Sequence, residues 1–232
     1  MLHYTIHGND MQLVELTIDA SHGIRAEVGA MMYMGSSIKM DTTMGGSIMG
    51  AAKRYLTGEG IHITSFRHNG PGSGTVAFGA PYPGRIIPLD LSSLGGKFLC
   101  QKDSFLCCES DTYVDIAFVK KLGFGLFGGD GFILQRLVGN GMAFVHAGGT
   151  VIHRTLEIGE TLLCDTGCLV GLQESVQYDI QFVGGFRNAM FAGEGVFFAK
   201  LTGPGKVYLQ SLPFSRLCDR IYAVANDYTG KR

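Results

Sequence analysis

Three copies of one pair of glycine signatures constrain this chain more than any other feature. Gly-acid-Gly with an apolar follower occurs at Gly58-Glu59-Gly60-Ile61, Gly129-Asp130-Gly131-Phe132 and Gly193-Glu194-Gly195-Val196. Each is followed by Gly-x-Gly and a second apolar run, at Gly72-Ser73-Gly74, Gly139-Asn140-Gly141 and Gly203-Pro204-Gly205. Counted on the first signature, the copies recur at 71 and then 64 residues. A fixed order of punctuation at such a period identifies one supersecondary unit used three times. Glycine supplies the positive φ that tight connections between short strands require.

The runs between these signatures repeat as well. Phe98-Leu99-Cys100 through Tyr113–Val119 aligns at a shift of 64 with Leu162-Leu163-Cys164 through Tyr178–Val183. Leu99/Leu163, Cys100/Cys164, Asp115/Asp179 and Phe118/Phe182 then coincide. A weaker copy begins at Leu16-Thr17-Ile18 and reaches Ile24-Arg25-Ala26-Glu27, which sets Ile18 level with Cys100 and Ala26 level with Cys108. Segments such as Thr112–Phe118 alternate with a period of two, the mark of strands buried on one face. The expected fold is all-β, with three internal repeats of a short-strand unit. The repeats are placed at about residues 12–94, 95–158 and 159–212 of a single domain spanning 1–232. A unit of about four short strands cannot bury its own apolar face, so the three should pack about a pseudo-threefold axis. Helix is expected only at Ser47–Leu56 and at Pro213–Ala225, where Leu217, Ile221 and Val224 form an apolar stripe.

Charged residues make up 17% of the 232, below the ~25% of ordinary soluble proteins. Covered surface between copies of the chain would account for the shortage, because interfaces lose charge at their centres. The favoured assembly is a homo-oligomer, specifically a trimer. A net charge of −1 gives no general attraction for nucleic acid. The start Met1-Leu2-His3-Tyr4 has no basic region ahead of an apolar core, and no run of 18 apolar residues exists. Together with six cysteines lacking disulfide spacing, this gives a cytoplasmic reading with reduced thiols and no membrane span.

Met31-Met32-Tyr33-Met34-Gly35, Lys53-Arg54-Tyr55-Leu56-Thr57-Gly58-Glu59, Pro83-Gly84 followed by Leu89-Asp90-Leu91, and the terminal Gly193-Glu194-Gly195 with Gly203-Pro204-Gly205 arrive in a recognisable order. In this combination the chain resembles the AIM24 family, formerly a domain of unknown function in bacteria and archaea, over nearly its whole length. The resemblance implies a fold similar to the subunits of the trp RNA-binding attenuation protein, in the double-stranded β-helix group, together with self-assembly. Eukaryotic relatives are associated with mitochondrial inner-membrane organisation. The resemblance carries over no activity and no catalytic residue.

Candidate chemistry is sparse. Gly123–Gly128 spells G-x-G-x-x-G, but an apolar strand follows it where a dinucleotide site needs a helix N-terminus. The same segment, Leu122–Gly129 led by Lys120 and Lys121, is apolar and glycine-rich. Phe124, Leu126 and Phe127 there are expected to contact another subunit, a partner protein or a membrane surface. Glu59, Asp130 and Glu194 are equivalent and could ring an axis to hold a hard cation, but the favoured role is accepting N–H bonds inside their own turns. Cys100, Cys108 and Cys164 read as small core hydrophobes, whereas Cys107 and Cys168 occupy positions that tolerate polarity. Cys164-x-x-x-Cys168 with a histidine is a poor zinc pattern. Six of the ten methionines lie between Met31 and Met49, where they are expected to fill an irregular core gap, with partner binding second and copper third. His146 and His153 flank Gly148-Gly149 and are the one histidine pair worth testing as ligands. No G-x-S-x-G, H-E-x-x-H or Walker loop is present, and no cysteine has an evident base. The functional expectation is a non-enzymatic, self-assembling scaffold or binding protein with no cofactor and no metal. An RNA-binding ring and a small-molecule binder are the alternatives.

Overall fold

The computed structural model describes residues 2–41, 63–120, 132–182 and 197–229. The described residues are mostly strand. β1 (His3–His7) is followed by β2 (Leu13–Asp19), β3 (Gly23–Glu27), β4 (Met31–Met34), β5 (Ile38–Asp41), β6 (Ile63–His68) and β7 (Ser73–Gly79). Six more strands follow: β8 (Gly84–Asp90), β9 (Lys97–Gln101), β10 (Phe105–Glu109), β11 (Tyr113–Lys120), β12 (Phe132–Val138) and β13 (Met142–Gly148). The last six are β14 (Val151–Leu156), β15 (Thr161–Asp165), β16 (Leu169–Gln173), β17 (Gln177–Phe182), β18 (Phe197–Thr202) and β19 (Gly205–Gln210), before helix α1 (Phe214–Thr229). All strand pairs are antiparallel, so the protein is an all-β, sandwich-like structure with one C-terminal helix.

Alternation explains why these segments became strands. In β2, Val14, Leu16 and Ile18 are fully buried, and the residues between them are partly exposed. A strand of this pattern can lay one face on a core while the other meets a second layer or water. The Gly-x-Gly signatures fall on the β6–β7, β12–β13 and β18–β19 connections. Gly72 and Gly205 take φ of 81° and 142°, a region that a side chain would strain.

Pairing repeats three times with the same order. β7 lies between β2 and β4, β13 between β8 and β10, and β19 between β14 and β16. On the other layer, β6 lies between β3 and β5, β12 between β9 and β11, and β18 between β15 and β17. Each unit is therefore six strands in two three-stranded layers, beginning at β2, β8 and β14, rather than the four strands expected, because the glycine signatures mark only some of the turns. Even the irregularities recur, with a register break between Met31 and Tyr33, between Phe105 and Cys107, and between Leu169 and Gly171.

This pairing moves the first copy of the sequence-derived repeat by one strand and keeps the alignment of the second with the third. Across the junction β3–β10, Ala26 faces Cys107; across β9–β16, Cys100 faces Gly171. Ala26 is thus the counterpart of Cys100, whereas Ile18 belongs to the preceding strand. Cys108 corresponds to Met34 and Leu172, not to Ala26. A period of two marks a half-buried strand without saying which strand it is, so β2 passed for β9.

Three buried clusters follow one another along the units. The first combines Leu16, Ile18, Phe66 and Phe78 with Leu106, Cys107 and Phe144 of the second unit. The second joins Phe98, Leu137 and Val145 to Val170 of the third, and the last holds Leu134, Leu172, Leu201 and Val207. Each fully buried side chain of this size contributes about 1.5–3 kcal/mol. α1 starts as expected, with Pro213 accepting from the Leu217 N–H at 3.3 Å. Its stripe is not covered, because Ile221 and Val224 are exposed and Leu217 is half-buried. The expected helix at Ser47–Leu56 lies outside the described residues.

Candidate functional site

Two junctions between units build the continuous sheets. β3 pairs β10 through Cys107↔Ala26, Cys108↔Arg25 and Glu109↔Ile24. β9 pairs β16 through Gly171↔Cys100, Leu172↔Leu99 and Gln173↔Phe98. Two sheets of six strands result, β5-β6-β3-β10-β13-β8 and β11-β12-β9-β16-β19-β14. Side chains reinforce the seams. Arg25 donates to the Thr112 carbonyl at 3.2 Å, and Gln101 donates to the Thr166 carbonyl at 2.7 Å. Lys97 and Arg136 both pair with Glu174, at 2.9 and 3.4 Å. Cys100, Cys107, Cys108 and Leu172 are fully buried.

The same two strand positions are left over at the ends. β4 ends the sheet β1-β2-β7-β4, and β15 ends the three-stranded sheet β15-β18-β17. Among the described residues, no strand pairs with either outer edge. Met32 (56% exposed), Tyr33 (43%) and Met34 (37%) stand on one edge, and Leu163 (56%) on the other. These are apolar side chains at positions whose counterparts in β9, β10 and β16 are buried. Tyr33 reaches across β7 and donates to the Glu15 carboxylate. A row of open backbone groups flanked by apolar side chains is a template for another strand.

A second feature is an open cleft of about 390 Å³ beside the first junction. Glu27, Val28 and Ala30 form one wall, Pro81 and Tyr82 another, with Asp103 and Phe214 closing it. Phe214 is held there by the start of α1. Arg216 pairs with Asp165 at 3.1 Å, and Asp165 also accepts from the Gly167 N–H at 2.7 Å. Burial, reinforced by nearby Asp103, pushes the Glu27 carboxyl up to about 7. Burial also raises Tyr82 to about 12, and the Tyr82 and Phe214 rings lie 5.0 Å apart. The cleft therefore offers two carboxyls and two aromatic faces.

The residues singled out by sequence fall unevenly. Glu59, Asp130, Glu194, Lys121, Phe124, Leu126 and Phe127 lie outside the described residues, and Lys120 ends β11 with its side chain outside them. Cys107, expected at a polar-tolerant position, is fully buried because its strand is covered by β3 on one side and β13 on the other. Met32, Met34 and Met40 face solvent instead of filling the core; among the described methionines of that cluster only Met31 packs on it. His146 and His153 do not face one another, since β13 pairs with β8 and β10 whereas β14 pairs with β19. His146 is buried edge-on to Tyr82 at 4.4 Å, where burial lowers it to about 4; His153 is exposed. No three metal-ligating side chains converge among the described residues. No described helix is long and apolar enough to cross a membrane. The edges β4 and β15 and the Glu27 cleft were missed; the Met31–Met34 run, apolar on consecutive residues, was the one signal for the first edge.

Comparison with known proteins agrees with this architecture. An uncharacterized protein of Streptococcus pyogenes serotype M6 is 27% identical over 212 residues, 87% of this chain and 83% of that protein. The crystal structure of another Streptococcus pyogenes protein superposes with a TM-score of 0.79 at 24% identity, covering 97% of this chain and all of that one. The family described as "Mitochondrial biogenesis AIM24" matches residues 4–212. With nearly the whole set of strands inside that match, this chain belongs to the AIM24 family.

Proposed function

We propose that this protein is a non-enzymatic scaffold that works as an assembly of identical chains, with a trimer as the favoured form. The observation that supports the reading is the pair of sheet ends, β4 and β15, unpaired among the described residues, in a chain whose internal junctions use the equivalent strands of its units. The low charge of 17% and the exposed methionines of β4 point the same way. Met side chains adapt to partner surfaces at small conformational cost. Sedimentation equilibrium of the purified chain at micromolar concentration tests the reading. The expected mass is a multiple of 24.9 kDa, three chains for the trimer. A single chain at all concentrations would overturn it.

The Glu27 cleft supports a second reading, a binder of small organic cations. A carboxyl poised near neutrality, a second carboxyl and the faces of Tyr82 and Phe214 suit an ammonium group. Thermal-shift titration with primary and quaternary amines at pH 8 tests it. Stabilisation should appear with the native chain and vanish in Glu27→Gln; identical curves for both chains would dismiss the cleft.

A further inference from the structure

The two open ends are not merely exposed edges, because the register in which they would meet is already written inside the chain. Equivalence is fixed by the partners each strand makes within its own unit. Met31, Phe105 and Leu169 pair with Phe78, Val145 and Leu209, and after the shared register break Tyr33, Cys107 and Gly171 follow. Met34, Cys108 and Leu172 come next. On the opposite strand of each junction, Ile24, Arg25 and Ala26 correspond to Phe98, Leu99 and Cys100. The β15 residues at those places are Leu162, Leu163 and Cys164, because β9 and β15 hold the same position against β12 and β18.

We infer that β4 of one chain pairs antiparallel with β15 of a second copy, with Tyr33 opposite Cys164, Met34 opposite Leu163 and Gly35 opposite Leu162. This inference rests on the scaffold reading and specifies its contact. The occupant is a second copy because each edge lacks the strand type that the other end carries. Both internal junctions join that type of strand to that type of partner. Pairing would extend β1-β2-β7-β4 by β15-β18-β17, giving a third sheet like the two within the chain, lengthened by β1. The contact is heterologous, using a different surface on each copy. Such contacts propagate head to tail and end only when a ring closes. Cys164 gives independent support: it occupies the position of Cys100, yet it is half-buried where Cys100 is fully covered by β16. Among the described residues, no strand covers Cys164 as β16 covers Cys100.

Paired cysteines test the register. In a full-length chain with Cys168→Ser and Cys218→Ser, Met34→Cys combined with Leu163→Cys places two thiols directly opposite, within disulfide reach. Mild oxidation should give covalent dimers and higher species on non-reducing gels. Met34→Cys with Thr161→Cys, two residues out of register, should give several-fold less. A charge exchange guards against a cysteine variant that fails to fold. Met34→Glu or Leu163→Lys alone should weaken assembly about tenfold or more, and the two together should restore much of it. Intrachain disulfides only, or equal cross-linking in and out of register, would overturn the inference. So would an assembled protein indifferent to both single charges, which would leave the scaffold reading standing. A native chain that stays monomeric would remove both.

Discussion

The junction between β9 and β16 and the free edge of β15 present the same kind of strand in two circumstances. At the junction, Leu99 is 3% exposed and Cys100 is fully buried, because Leu172 and Gly171 lie opposite. At the free edge, Leu163 is 56% exposed and Cys164 is half-buried. The chemistry of the paired positions is alike, Leu-Cys in both. What differs is the neighbour. Gly171 shows how close that neighbour comes: a Cβ there would sit 2.5 Å from a Phe98 ring carbon and 2.6 Å from the Leu99 carbonyl oxygen. Its counterpart at the open end is Tyr33, which has room to swing over β7 to Glu15. A repeat therefore fixes which residues could be core, and the position in the array decides which of them are.

Truncations at the two places should separate most widely. Leu99→Ala and Leu172→Ala should each cost about 2–5 kcal/mol in urea unfolding, as expected for a fully buried leucine that leaves a cavity. Leu163→Ala and Met34→Ala should cost less than about 0.5 kcal/mol in the dilute single chain. Equal losses at both sites would break the comparison, since the free edge would then be covered by something within the chain.

Crowding should follow the same asymmetry with a smaller effect. Gly171→Ala should destabilise by about 1–3 kcal/mol, because Phe98 must leave its position. Tyr33→Ala, at the equivalent place, should change chain stability by under about 0.5 kcal/mol while loosening assembly. Thermal unfolding of both variants at low concentration distinguishes them.

The first junction can be sharpened by pH. Burial keeps the Glu27 carboxyl protonated up to about 7, against an ordinary value of 4.5. Between those values the unfolded chain ionises while the native chain does not. Stability should therefore fall as pH rises through this window and level off above it. His146 acts in the opposite sense, since its lowered value near 4 removes stability as pH falls from about 6.5. Glu27→Gln should abolish the alkaline decline, adding on the order of 2 kcal/mol at pH 8 and nothing at pH 4. A parallel offset at both pH values would mean that Glu27 acts by packing alone. The smallest change is expected far from any junction: Ile221→Ser on the exposed stripe of α1 should shift stability by under about 0.5 kcal/mol by chemical denaturation.

Much of the fold was legible because it depends on local signals. Alternation in Leu13–Asp19 and Tyr113–Phe118, glycine pairs at the hairpins and Pro213 ahead of a helix are each satisfied within a few residues. The alignment of Ile18 with Cys100 failed because alternation is shared by every half-buried strand. The reading of His146 and His153 failed for a related reason. Residues across a glycine turn face each other only if their strands pair, and here each strand pairs elsewhere. The Glu27 cleft had no sequence signal, because Glu27, Tyr82, Asp103 and Phe214 are far apart in the chain and meet only by packing.

By itself, then, the sequence determined the all-β class, the threefold use of one unit and several of the places where the chain turns, since propensity, period and φ are properties of short segments. Tertiary structure alone decided how the units share sheets and which members of an equivalent set are buried. Hydrogen-bond partners and burial belong to neighbours in space, and a linear array of three units with two junctions must leave one edge of each kind unmatched at its ends.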